Sequence, residues 1–222
     1  MHAGNGYLGD DSMSGILNGM RVVEGSAFVA VPLAGMPLGQ MGADVSSFDR
    51  LQGGLDAGRW PLAPNGQSLF WDGMNKGKKS IAIDMRDPRG KELITQIITA
   101  PGEDAGLFLT NLRVRGWMDH ETLSQYRPDL VSVTLSGHRH GRPPVDYTVN
   151  PALGIPDVTG PDGATDPTAN ALPARDSLAG TMGGSAVPGA ALPRHGLGTA
   201  QGDAVNHMAV CDAARGQHGV SR

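Results

Sequence analysis

Short apolar runs alternate with amphipathic stretches from Met20 to Gly137. Met20–Gly25 (MRVVEG) predicts a buried strand, and the stretch after it sets Val31, Ala34, Gly35, Leu38 and Met41 on one helical face. Pro32 suits the first turn of that helix, whereas Pro37 is expected to kink or interrupt it. Asp44–Asp49 predicts a second, weaker strand, and Ser80–Asp84 a third through its β-branched alternation. Asp87-Pro88 has the N-cap and first-turn chemistry of a helix start. That helix is expected to run to about Thr99 and to bury Leu93, Ile94, Ile97 and Ile98. Ala105–Thr110 and Leu130–Leu135 predict further strands, with a short helix at His120–Tyr126 between them.

Repeated β-α-β units predict an α/β fold of Rossmann-like type, a mainly parallel sheet with helices on both faces. Ligands bind such sheets at the carboxyl ends of the strands. The loops beginning at Gly25, Asp49, Asp84, Asn111 and Gly137 are therefore where chemistry is expected. After Asn150 the texture changes to Gly, Ala and Pro with no sustained period. Pro188 and Pro193 are expected to break the one stretch suited to a long helix. The division that follows is an N-terminal extension at 1–18 and an α/β domain at 19–150. An incomplete, weakly structured second segment then occupies 151–222.

Charge narrows the partners: 18 Lys+Arg stand against 22 Asp+Glu, a net charge of −4, so no global basic field points to nucleic acid or a membrane surface. Basic residues gather only locally, at Lys76, Lys78 and Lys79 and at Arg113 and Arg115, which suits a small anion. A single cysteine, Cys211, excludes an intramolecular disulfide and fits a reducing compartment. The first residues lack the pattern of a secretory signal, and no apolar run has membrane-span length, so a cytoplasmic protein is expected.

Several local patterns carry candidate chemistry. GMNKGKKS (73–80) departs from a phosphate-loop spacing and precedes a strand, so it suits an anion contact, or solvated lysines, but not a nucleoside triphosphate. GLGTAQG (196–202) follows no strand and is a weak dinucleotide fingerprint. His138 and His140 flank Arg139 without a third ligand, and His207 with Cys211 makes only half a zinc site; no metal centre is expected. Asn111-Leu112-Arg113 follows directly on a buried strand, where it can meet an anionic ligand or simply be solvated. Asp176, in ALPARDSLAG, can serve as a helix N-cap or as a catalytic carboxylate.

Taken in order, these segments resemble the class III CoA-transferases, the family that includes formyl-CoA and carnitine CoA-transferases. The opening GMRVVEGSAFVAVPLAGMPLGQMGADV resembles the family's strand, CoA-contacting turn and Pro-started helix. NKGKKSIAIDMRDPRGKELI is similar to its Asn-x-x-Lys-Arg-Ser-Ile segment, and TNLRVRGW to its Glu-Asn-Phe-Arg segment, with Leu112 in place of Phe. LPARDSLAG falls where the family carries a nucleophilic Asp. Within the family, GSAFVAVPL, GRWPL, SLFWDGMNKGKKSIAID and DYTVNP are most similar to the mesaconyl-CoA C1–C4 CoA-transferase branch.

The resemblance implies an acyl-CoA thioester as substrate, with CoA not permanently bound, and an aspartyl mixed anhydride as intermediate. It implies Asp176 as nucleophile and Tyr147 near the reacting thioester. Phe28 and Val29 would line the CoA channel, Arg50 would meet the adenosine-phosphate end, and Lys76, Asn111 and Arg113 would complete the grip. Family members are nearly twice as long and form interlocked homodimers, with a glycine-rich loop over the thioester in the second half. A chain ending at Arg222 is thus expected to be a truncated member, weak or inactive alone, or paired with a subunit carrying the remainder.

Overall fold

The structure is a computed structural model and describes residues 15–112, 116–135, 145–163, 165–195 and 205–206. Strand β1 (Arg21–Gly25) leads to helix α1 (Ala30–Gln40), then β2 (Asp44–Asp49), α2 (Leu69–Met74), β3 (Lys79–Ala82) and α3 (Pro88–Ile98). The second half of the sheet follows as β4 (Leu107–Thr110), α4 (His120–Ser124), β5 (Val131–Thr134), α5 (Asp146–Ala152), α6 (Ala174–Ala191) and the two-residue β6 (Val205–Asn206). The strands pair in the order β3-β2-β1-β4-β5-β6, every pair parallel. The order reverses between β1 and β4, which places the crevice of this fold at their carboxyl ends.

Period-two alternation sends side chains to two separate cores. Val22, Val45, Leu107, Leu109 and Val133 pack against α1 and α6 on one face. Val23, Phe48, Phe108 and Leu130 pack against Ile94 and Ile98 of α3 and Leu123 of α4 on the other. Phe48 and Phe108 stack with ring centroids 6.4 Å apart. The expected helix start at Asp87 is present: its side chain accepts the Arg89 N–H and Pro88 opens the helix. Leu93, expected in the buried stripe of α3, is instead exposed, because that stripe is narrow and centred on Ile94 and Ile98.

Neither Pro37 nor Pro188 interrupts its helix. Helix α1 continues through Pro37 to Gln40, and α6 runs for 18 residues with Pro188 inside it. A proline in a helix interior forfeits a hydrogen bond, but tertiary packing can outweigh that loss. For α6 the packing is close: a Cβ at Gly180 would lie 2.6 Å from the Ala30 carbonyl oxygen, and one at Gly184 would lie 3.0 Å from that of Ala34. The small residues read as weak structure are the face on which α6 meets the backbone of α1. Since Gly180 lies against Ala30 and Gly184 against Ala34, the helices run in the same direction. Both therefore begin at the carboxyl edge of the sheet.

Candidate active site

The turn from β1 to α1 forms the centre of the crevice. Asn111, just beyond β4, accepts the Ala27 N–H at 3.0 Å and donates to the Ala27 carbonyl at 2.8 Å. Thr110 adds a hydroxyl bond of 2.6 Å to the Gly25 carbonyl. Both amide atoms of Asn111 thus hold the turn, a structural role beside the ligand contact expected for it. Phe28 follows with φ of 65°, a left-handed conformation seldom adopted outside glycine, and its side chain is 42% exposed. Val29 is 2% exposed, so its side chain belongs to the core and does not line an open channel.

Beneath this turn lies an ion pair that sequence reasoning missed. Glu24 is fully buried on β1, and Lys78 Nζ reaches it at 2.9 Å while also donating to Pro32 O at 2.8 Å and Asn75 Oδ1 at 3.0 Å. Ser26 donates to the same Glu24 oxygen at 2.6 Å. Burial raises the carboxyl of Glu24 above its ordinary range and lowers Lys78 below its own, and each partner's charge opposes the other's shift. A carboxylate directly after Val22-Val23, inside a run predicted as a buried strand, was the signal available. Of the three lysines expected to meet an anion, Lys78 is therefore internal and Lys79 pairs with Asp44 at 2.6 Å. Lys76 is exposed, but its turn leads into the amino end of β3, away from the carboxyl edge.

Arg50 stands at the carboxyl end of β2, exposed, with its Nε donating to Gly53 O at 3.1 Å. The loop it opens brings Asp56 into the interior and holds the Arg59 guanidinium 4.2 Å from the centre of the Phe70 ring. Burial, and then the charge of Asp56, raise the carboxyl of Asp49. Arg113 lies outside the described residues, as do His138, Arg139, His140, His207 and Cys211. Among the described residues no group of His, Cys, Asp and Glu could hold a metal ion, and no helix is long and apolar enough to cross a membrane.

Asp176 lies in the first turn of α6 without capping it; the N-cap position is Pro173, which supplies no side-chain bond. The turn is closed from elsewhere. Asp146 of α5, 5% exposed, accepts the N–H groups of Arg175 at 2.9 Å and Asp176 at 3.1 Å, and Asn150 donates to its second oxygen at 2.7 Å. Asp176 itself is pushed up to about 6, first by burial and then by the Asp146 charge, with Arg59 pulling it partly back. A half-buried carboxylate, a neighbouring carboxylate and a guanidinium thus meet at the carboxyl edge of the sheet. Tyr147, next to Asp146 on α5, is 69% exposed. The structure brings Phe28, Asn111, Arg50 and Asp176 to one edge, with Lys76 exposed in the turn before β3 and the side chain of Val29 in the core.

Comparison with known proteins agrees with this geometry. Residues 17–217 match the model of CoA-transferase family III. The chain is 58% identical over 171 residues to 2-methylfumaryl-CoA isomerase of Chloroflexus aurantiacus, covering 77% of this chain and 42% of that protein. It is 28% identical over 209 residues to succinate–glutarate CoA-transferase of Agrobacterium fabrum, covering 88% of this chain and 51% of the relative. Among solved structures, a CaiB/BaiF family protein from Brucella suis superposes with a TM-score of 0.77 at 25% identity, over 91% of this chain and 55% of the other. The chain spans about half the length of the curated relatives it matches. The match over residues 17–217 and the 58% identity to a relative show that the chain belongs to CoA-transferase family III.

Proposed function

We propose that this chain carries the CoA-binding region and the nucleophile of a CoA transfer between carboxyl groups, on 2-methylfumaryl-CoA (mesaconyl-CoA) or a close dicarboxylyl thioester. The observation that carries the reading is Asp176, half-buried in the first turn of α6 and raised to about 6, beside the crevice at the point of strand reversal. The name of the Chloroflexus relative supplies the substrate class.

In this reading the Asp176 carboxylate adds to the thioester carbonyl, and the C–S bond breaks to release CoA thiolate and leave a mixed anhydride. The thiolate then attacks the aspartyl carbonyl and frees the dicarboxylate, whose other carboxylate re-enters by the same two steps in reverse. No proton or electron is gained or lost overall, and the net change is the position of CoA. Asp176 is ionised above about pH 6, and its partial burial removes the water that makes a carboxylate a poor nucleophile. Phe28 and Arg50 border the entrance for the CoA moiety; Asn111 acts by holding the turn, and Tyr147 stands near the reacting thioester. Dimerisation with a second copy follows the family resemblance.

A single-turnover incubation with 2-methylfumaryl-CoA, followed by a thiol reagent, tests the first step. The unmodified chain is expected to release free thiol in a slow single turnover and Asp176→Asn none. An equal release from Asp176→Asn would overturn the assignment.

A further inference from the structure

We infer that Asp146 is the positioning residue for the nucleophile, closing the first turn of α6 from α5 and so fixing the direction in which the Asp176 carboxylate points. The inference deepens the reading of Asp176 as nucleophile and rests on it. The geometry is specific: two successive backbone N–H groups of α6 converge on one oxygen of Asp146 at 2.9 and 3.1 Å. Its other oxygen is fixed by Asn150 one turn along α5 at 2.7 Å. Pro173 at the N-cap makes no side-chain cap bond, and the Ser177 hydroxyl bonds the Pro173 carbonyl at 2.9 Å, leaving the Arg175 and Asp176 N–H groups to Asp146.

The consequence is chemical as well as structural. An Asp in the first turn of a helix is ordinarily stabilised by the free N–H groups and the positive end of the dipole, which makes it a weaker base and nucleophile. Here two of those donors are already taken by Asp146, so Asp176 has lost that stabilisation and faces a second negative charge instead. The charged groups facing Asp176 are Asp146 from α5 and Arg59 from the loop after β2, and they act in opposite senses. The cap that orients the turn is thus the same group that keeps the nucleophile reactive.

Asp146→Asn keeps an oxygen able to accept both N–H bonds while removing the charge. Carbon-detected NMR titration of the Asp176 carboxyl is expected to show its midpoint fall by about one pH unit in Asp146→Asn. The acid limb of the thiol burst should move down with it, and the burst rate at pH 8 should drop severalfold as nucleophilicity falls. An unmoved midpoint would overturn the inference. Should the variant fail to fold, amide exchange in the unmodified chain decides: slowed exchange at both Arg175 and Asp176 supports the cap, and rapid exchange at both refutes it. A midpoint that falls in a chain with no thiol burst at all would keep Asp146 as the cap and sink the nucleophile reading separately.

Discussion

Asp176 holds its charge at a cost to the fold. Its carboxyl is raised above the unfolded value of 3.8 to about 6, so its contribution to stability is complete below about pH 4 and is lost as pH rises through 6. Asp176→Asn is therefore expected to raise the melting temperature at pH 7 to 8 and to leave it nearly unchanged at pH 4, as thermal scans at the two pH values would show. Arg59 acts in the opposite sense to Asp146, and Arg59→Gln should move the Asp176 titration midpoint upward in the same NMR experiment. Below the turn, the Glu24–Lys78 pair makes a stronger demand. Lys78→Met would leave Glu24 buried without its partner, a loss of about 3–5 kcal/mol in urea unfolding. The double variant Glu24→Gln with Lys78→Met should recover part of it. Gly35 belongs to the same unit: a Cβ there would sit 1.9 Å from Glu24 Oε2, so Gly35→Ala must displace the carboxylate from its lysine. At this scale the sequence showed only part of the site. Only resemblance to a known motif singles out Asp176, since an Asp in that setting is also a common cap. Asp146 was missed because the turn it closes lies about thirty residues away, and capping is ordinarily sought in adjacent sequence.

Among the elements, those with strong periodicity or a clear start were legible. β2 occupies the predicted Asp44–Asp49, and α3 starts at Pro88 behind its Asp87 cap. Where reading failed, a long-range contact had overruled a local preference. Glycine and proline mark α6 as a poor helix in isolation, yet Gly180, Gly183 and Gly184 are what allow it to lie against α1 and Leu135. The same packing fixes Asp176 at the crevice, because register along α1 determines where α6 begins. Gly184→Val is therefore expected to separate the helices and destabilise the fold by about 1–3 kcal/mol in urea unfolding. It should also blunt the thiol burst, although residue 184 lies two turns from the nucleophile.

Across the whole molecule, strand order was the feature periodicity alone could not supply. Alternating units imply a parallel sheet, but only the pairing of β1 with β4 shows where the order reverses. The Asn111–Ala27 clasp ties those two strands together at that point. The proposed binding of CoA at that point would stabilise the folded state by mass action, so CoA should raise the melting temperature in a concentration-dependent way. Asn111→Ala is expected to weaken CoA binding by calorimetry about tenfold, corresponding to the loss of one or two hydrogen bonds that hold the turn.

The central claim is that Asp176 forms a covalent bond to the acyl group of a CoA thioester. The most direct measurement is peptide mass mapping after incubation with 2-methylfumaryl-CoA and quenching with hydroxylamine, which converts an activated aspartyl carbonyl to a hydroxamate. The hydroxamate is expected on the peptide containing Asp176 and is expected to be absent from Asp176→Asn. A hydroxamate on any other residue, or none in the unmodified chain, would contradict it.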